Sequence, residues 1–265
     1  MAISLELICE KTCSVARRAG DFIARERKGF QSSMIEYKGL HDLVSYVDKQ
    51  AEQMIVAALR DLIPEAGFIA EEGTASSDEE AYKWIIDPLD GTTNFIQGIP
   101  VFSVSIALMH EKEMLIGVIY EVGQKECFYA WKGGGAYLNG VPIEVSKTTN
   151  IHHCLLATGF PYSEFDQLDN YIDFLKWTMR NSRGVRRIGS AAVDLAYTAC
   201  GRFDAFWEYD LKPWDVAAGA LLVMEAGGSI SDFIGGDNYL FGKTLIASNG
   251  KIDRLLIEKM NDFMK

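Results

Sequence analysis

The chain is short of positive charge. Its 265 residues hold 26 Lys and Arg against 37 Asp and Glu, a formal net charge of −11 with a pI of about 4.9. A general nucleic-acid binder needs a basic face to displace counterions, so that class is excluded and no direct nucleic-acid binding is expected. Long apolar runs are lacking too: none approaches the roughly 20 residues that span a bilayer, so no membrane association is expected. Glu6 and Glu10 interrupt any apolar core of a secretory leader. The five cysteines are odd in number and form no Cys-x-x-Cys pair, which fits a reduced cytoplasmic setting better than a disulfide scaffold. Cys9 and Cys13, four residues apart, read as small buried hydrophobes on one helix face. Only four histidines occur, without zincin spacing, and His152-His153 reads as a strand-edge pair. There is no P-loop and no Gly-x-Ser-x-Gly elbow. What remains is ordinary globular material, 48% hydrophobic and 24% charged, with enough length for a sizeable core.

Hydrophobic periodicity orders that material. Leu5, Ile8, Thr12, Val15, Ala19, Phe22 and Ile23 recur at helical spacing, as do Val47, Ala51, Met54, Ile55, Ala58, Leu59 and Leu62, the second set ending before Pro64. Phe68–Ala70 and Trp84–Ile86 are short apolar runs, each ending on carboxylates. Phe102–Met109, Met114–Val122, Cys127–Trp131 and Ala136–Ile143 alternate with short polar or glycine links and predict an antiparallel meander. Gly133-Gly134-Gly135 falls within that meander, opens no helix, and reads as a turn. After about Asn150 strands alternate with helices: Leu155–Ala157, then helix Leu168–Met179, helix Ala191–Ala199 behind an N-capping Ser190, strand Phe203–Trp207, helix Trp214–Ala226, strand Leu245–Ser248 and a closing helix Lys251–Met264. The expectation is an α+β lobe over residues 1–150 and an α/β lobe over residues 151–265.

Chemistry concentrates in Trp84-Ile85-Ile86-Asp87-Pro88-Leu89-Asp90-Gly91-Thr92-Thr93-Asn94-Phe95. The apolar run delivers Asp87 to a strand end, and Pro88 holds it extended and breaks the ladder. Asp90 and Gly91 turn the chain, and Thr92 onwards can open a helix whose N–H groups suit a phosphate. Two carboxylates three residues apart would repel that phosphate unless a divalent cation lay between them. Mg²⁺, which takes oxygen ligands and bridges to phosphates, fits. By itself Asp-Pro-Leu-Asp-Gly reads equally as a surface turn. Glu71-Glu72 by itself reads as a solvated pair, Asp215 as a helix-dipole acid and Asp48 as a surface residue. Their coincidence with one phosphate-type loop favours phosphate-ester hydrolysis.

Four blocks in order carry a resemblance. They are Glu71-Glu72, Trp84–Phe95, Arg186-Arg187-Ile188-Gly189-Ser190-Ala191-Ala192 running on through Asp194–Tyr197, and Pro213-Trp214-Asp215-Val216-Ala217-Ala218-Gly219 ending in Glu225-Ala226-Gly227-Gly228. The sequence resembles the inositol monophosphatase family of Mg²⁺-dependent, lithium-sensitive phosphatases, its bacterial inositol-1-monophosphatase branch above all. The resemblance implies a five-layer αβαβα sandwich of the sugar-phosphatase type, with the site between the lobes, and a homodimer. It implies that Glu71, Asp87, the Leu89 carbonyl, Asp90 and Asp215 hold two or three Mg²⁺ ions, with Glu72 accessory. Asp48, Glu71 and Thr92 take the catalytic roles; Gly91 and Thr92 bind phosphate. Glu208, Gly189, Ser190, Ala191 and Arg186 contact the substrate, where Glu71, Leu89, Asp90 and Asp215 also lie. Lys38 matches a loop lysine of the family. The implied reaction is hydrolysis of a small-molecule phosphate ester by metal-activated water, with inositol-1-phosphate first among substrates. Fructose-1,6-bisphosphate, histidinol phosphate, NADP or a 3′-phosphonucleotide are the alternatives within the family. Haloacid-dehalogenase phosphatases also use an Asp-Gly-Thr loop, but they need Asp-x-Asp, and position 88 is Pro. A non-catalytic phosphatase fold serving as a protein-binding subunit is the remaining class; the intact acids argue against lost activity.

Overall fold

A computed structural model describes residues 4–30, 35–37, 43–73, 80–161 and 166–264. Three apolar cores fill the spaces between five layers, one of them on both faces of the middle layer. The outer layer is α1 (Leu5–Gly29) and α2 (Tyr46–Leu62). Ser4 caps α1 by accepting the Leu7 N–H, and the buried stripe Cys9, Thr12, Cys13, Ala16, Ala19, Ile23 follows helical spacing. A two-stranded ribbon, β1 (Ile35–Tyr37) and β2 (Leu43–Ser45), leads into α2.

These helices cover a seven-stranded sheet. Its strands are β3 (Gly67–Ala70), β4 (Tyr82–Asp90), β5 (Ser103–His110), β6 (Glu113–Glu121), β7 (Glu126–Trp131), β8 (Gly135–Leu138) and β9 (Val141–Ile143), in that spatial order. Only β3–β4 is parallel in this sheet; β4 pairs antiparallel with β5, and β5–β9 form the expected meander, with Ala136–Ile143 split in two at the Asn139-Gly140 turn. α3 (Thr92–Gln97) sits between β4 and β5. The strands β5 and β6 are nearly continuous apolar runs because both faces are covered.

The middle layer is α5 (Ala191–Ala199) and α6 (Pro213–Glu225). Val216–Val223 is buried all round, as a helix clamped between two sheets must be. Close approach depends on glycine at Gly117, where a Cβ would lie 2.5 Å from the Ala218 carbonyl oxygen. Beyond it lies a five-stranded sheet in the order β11-β10-β12-β14-β13, from β10 (Leu155–Thr158), β11 (Gly184–Arg186), β12 (Ala205–Tyr209), β13 (Ser229–Ser231) and β14 (Thr244–Ser248). β10 pairs in parallel with β11 and β12, while β14 runs antiparallel to β12 and β13. The fifth layer is α4 (Leu168–Asn181) and α7 (Asp253–Phe263), packed on that sheet through Tyr171, Phe174, Trp207, Leu256 and Met260. The αβαβα sandwich is the expected architecture.

Polar clasps tie the C-terminal ends of the middle-layer helices to the seven-stranded sheet. Arg202 reaches both Glu126 carboxylate oxygens at 2.5 and 2.6 Å. The Gly133 and Gly135 N–H groups donate to Glu225, so the glycine run is a turn. All five cysteines are free thiols, four of them buried, including Cys9 and Cys13. His152 and His153 differ from expectation: they lie on a single 3-10 turn, Ile151–His153, because the Asn150 carboxamide accepts the His152 N–H at 3.0 Å and bends the chain before β10 begins. No helix among the described residues is long and apolar enough to cross a membrane.

Candidate active site

The site grows from the end of β4. Asp87, 2% exposed, pairs in register with Ser105, and pairing resumes only at Asp90 opposite Ser103. Pro88 thus interrupts the ladder without ending the strand. In the gap the Asp87 carboxylate accepts the Leu89 N–H at 2.9 Å. The Leu89 carbonyl then lies 2.9 Å from the Thr92 hydroxyl. Gly91 has φ +90°, and a Cβ there would lie 3.1–3.3 Å from Val101 O, Gly189 O and the Phe102 Cα; only glycine makes this turn comfortably. α3 follows at once.

Asp48 arrives from α2. It is 1% exposed, not a surface residue. Its Oδ2 accepts the Ser45 N–H at 2.9 Å and the Ser45 hydroxyl at 2.7 Å, a capping box at the helix start. Its Oδ1 stands 3.1 Å from the Thr92 hydroxyl. Thr92 has one proton and two acceptors, so either Asp48 or the Leu89 carbonyl receives it. Burial holds the Asp48 carboxyl above the usual range, against the hydrogen bonds that lower it.

Glu71 follows β3, its N–H bonded to Ile86 O at 3.2 Å and its carboxyl bonded to Asp87. Asp90 and Asp215 close the other side. The Asp90 Oδ2 accepts the Ser190 hydroxyl at 2.6 Å and the Ala192 N–H at 2.8 Å, at the start of α5. The Asp215 Oδ2 accepts the Lys212 N–H at 2.6 Å, at the start of α6. Carboxylate oxygens of Asp87, Asp90 and Asp215 lie within 4.8 Å of one another. Burial, then mutual repulsion, pushes Glu71 and Asp87 well above the carboxylate range; burial raises Asp90 despite its donors, and Asp215 is pushed up to about 7. So much uncompensated negative charge in oxygen-only donors fits a hard divalent cation, and Mg²⁺ in particular.

Glu208, on β12, is 8% exposed; burial first, then the charge of Asp215, drives its carboxyl far upwards. Gly189 has φ +90° and stands against Arg187 and Asn94, whose amide donates to Val101 O and Ile188 O at 2.8 Å each. That amide stitches the α3 turn to the Gly189-Ser190-Ala191 turn, so the two blocks meet. Asp48, Glu71, Asp87, Leu89, Asp90, Gly91, Thr92 and Asp215 are thus brought together, with Glu208, Gly189, Ser190 and Ala191 beside them. Arg186 stands apart: it is exposed, with its guanidinium 3.2 Å from the Val185 carbonyl. Lys38 lies outside the described residues.

Three residues were not singled out from sequence. Arg187 stacks over Phe160 at 5.9 Å, and its charge acts on Asp90, Asp194 and Glu208. Asp194, 1% exposed on α5, has a buried Oδ1 without a hydrogen-bond partner. Glu52, fully buried, accepts the Glu72 N–H at 2.8 Å. For Glu52 a signal existed, since it shares the helical stripe of Asp48, Ala51 and Ile55. For Arg187 none did, because nothing in Arg186-Arg187 tells which of these two exposed residues brings its charge to the site acids.

Comparison with known proteins points to one family under two names. A family model described as the inositol monophosphatase family matches residues 5–265. "Nus factor SuhB" of Pseudomonas aeruginosa is 44% identical over 247 residues, 91% of each chain. "Inositol-1-monophosphatase" of Mesorhizobium japonicum is 41% identical over 244 residues, 92% of each. The solved extragenic suppressor protein suhB from Bartonella henselae superposes with a TM-score of 0.91 at 38% identity, covering 96% of this chain and 98% of that one.

Proposed function

The chain belongs to the inositol monophosphatase family, and from that premise we propose that it is a Mg²⁺-dependent, lithium-sensitive phosphomonoesterase hydrolysing inositol-1-phosphate to inositol and phosphate. The observation that carries the reading is the convergence of Asp87, Asp90 and Asp215 within 4.8 Å beside the Asp48–Thr92 pair. Glu71, Asp87, the Leu89 carbonyl, Asp90 and Asp215 would hold two or three ions. When bound, Mg²⁺ would offset the charge of the ester, activate a water and stabilise the departing alkoxide.

The chain's own part is positioning and proton handling. With the Leu89 carbonyl engaged elsewhere, the Thr92 proton goes to Asp48. The hydroxyl's lone pairs then face the cleft and accept a proton from the attacking water. As they do so, the hydroxyl's own proton passes to Asp48, whose Oδ2 is anchored by Ser45 so that Oδ1 is the oxygen that receives it. The N–H groups opening α3, from Gly91 and Thr92, lack intrahelical acceptors and bind the phosphate oxygens. Glu208 and the Gly189-Ser190-Ala191 turn receive the polyol hydroxyls. The lobe of residues 1–150 thus supplies Asp48 and most metal ligands; residues 151–265 supply Asp215 and the substrate contacts. We assign the protein to the cytoplasm, as a homodimer.

The test is phosphate release from a panel of inositol-1-phosphate, fructose-1,6-bisphosphate, histidinol phosphate, NADP and a 3′-phosphonucleotide, with Mg²⁺ present or chelated and with Li⁺ added. Preference for inositol-1-phosphate, abolished by chelation and inhibited by Li⁺, is expected. Preference for another member moves the substrate assignment; no Mg²⁺-dependent release from any of them refutes the reading. A second reading follows the name of the 44% identical relative: a Nus factor role alongside turnover. It would survive in an Asp215→Asn variant that hydrolyses nothing, scored by complementation of a strain lacking the relative.

A further inference from the structure

α2 buries the stripe Val47, Ala51, Ile55, Val56 and Leu59, and two carboxylates lie in it, Asp48 and Glu52. Glu52 has no exposed surface at all. Burying a carboxylate in an apolar stripe is costly unless hydrogen bonds reward it, so its partner is informative. One partner is the backbone N–H of Glu72, 2.8 Å from the Glu52 Oε2. The bond grips a tight turn. Glu71 is fixed on one side by its N–H to Ile86 O, and Gly73 folds back to Ala70 O. Between these two bonds the orientation of the Glu71–Glu72 peptide depends on the Glu72 N–H. Glu71's carboxyl is the group that meets Asp87.

We propose that Glu52 is a positioning residue for the metal centre: its carboxylate holds the Glu71–Glu72 turn so that Glu71 faces Asp87. Glu52 lies one helical turn beyond Asp48 and on the same face. One rigid helix therefore sets both halves of the reaction geometry, the Asp48–Thr92 pair and the Glu71–Asp87 pair. The inference rests on the reading that Glu71 and Asp87 hold a metal. It assigns Glu52 no contact with metal or substrate.

Two conservative variants separate reach from charge. Glu52→Gln keeps the length and an acceptor oxygen but loses the charge. Glu52→Asp keeps the charge but is one methylene too short to reach the Glu72 N–H. Mn²⁺ binding is measured by calorimetry on the intact protein, together with amide exchange at Glu72 and the thermal midpoint. The expected result is Mn²⁺ affinity within about threefold of the original for Glu52→Gln, and a loss of about 10–100-fold for Glu52→Asp, the usual range for a residue supporting a metal ligand. Glu72 exchange accelerates in Glu52→Asp alone. Equal affinity in both variants, whether retained or lost, overturns the proposal, and so does a loss confined to Glu52→Gln. If the unaltered protein binds no Mn²⁺, the reading of the site as a metal centre fails first and the inference falls with it. Normal binding in the unaltered protein and in Glu52→Asp overturns the inference alone.

Discussion

Removing one acid from the cluster should stabilise the protein without metal and destabilise it with metal. Asp215→Asn is the cleanest case. Asparagine keeps an acceptor oxygen for the Lys212 N–H, which Asp215 binds at 2.6 Å, so the start of α6 is preserved. What disappears is repulsion with Asp90 first, and with Asp87, Glu71 and Glu208. At 4.8 Å and an effective dielectric of about 20, each fully ionised pair costs about 3.5 kcal/mol. The Asp90 pair dominates, because Asp87, Glu71 and Glu208 are driven well above the carboxylate range, by burial first, and so carry protons over much of the pH range. Screening lowers the remainder, leaving about 2 kcal/mol at pH 8. For a chain of this size that raises the thermal midpoint by about 4–8 °C in chelator. At pH 5, below the value of about 7 for Asp215, the side chain is already protonated and the gain should vanish. Saturating Mg²⁺ should raise the midpoint of the original protein and leave the variant almost unmoved, so their order reverses. Turnover should fall by more than about 100-fold, exceeding the cost of losing a residue that merely supports a ligand. Scanning calorimetry in chelator and in Mg²⁺, at both pH values, reads all of this. A variant less stable than the original in chelator at pH 8, or equally stabilised by Mg²⁺, refutes the reasoning.

Three further outcomes follow from the same geometry. Thr92→Val keeps the shape but removes the proton path to Asp48; kcat should drop by about 10²–10⁴-fold while Mn²⁺ affinity by calorimetry stays unchanged. Asn94→Ala strips the donor from two carbonyls, Val101 O and Ile188 O, and should cost about 2–3 kcal/mol, a fall of about 5–10 °C in the thermal midpoint. The third concerns pH. The site acids have folded pKa values above their unfolded ones, so their contribution is complete below about pH 4 and is lost as pH rises towards the folded values, about 7 for Asp215. Thermal midpoints in chelator should therefore fall across that window, and Mg²⁺ affinity, which requires the deprotonated acids, should rise across it. Midpoints that climb with pH in chelator would contradict the burial of these acids.

Much of this site was readable before folding, for reasons that belong to local chemistry. Pro88 interrupts the ladder beside Asp87, although β4 runs on to Asp90 rather than ending at Asp87, and Gly91 then turns the chain into α3 as Asp-Gly-Thr-Thr suggests. Ser190 announced the start of α5 in the same way, and there its hydroxyl also serves Asp90. Other features depended on distant partners. The strands β11 and β13 are three residues each and exist only because β10 and β14 offer them an edge. β12 begins at Ala205, two residues later than its apolar run, because the Phe203 and Asp204 N–H groups are taken by Tyr197 O and Leu155 O. Asp48 looked like a surface acid because its burial is created by Ser45 and Thr92. The choice between Arg186 and Arg187 turns on a single residue of register at the end of β11, which side-chain type cannot decide.

The proposed activity depends on carboxylates from separate parts of the chain gathering around a divalent ion. Anomalous diffraction from crystals soaked in Mn²⁺, a stand-in for Mg²⁺, measures that directly. Peaks are predicted in contact with carboxylate oxygens of Asp87, Asp90 and Asp215, at about 2.0–2.3 Å. At saturating Mn²⁺, a peak confined to other carboxylates, or no peak among these three, would contradict it.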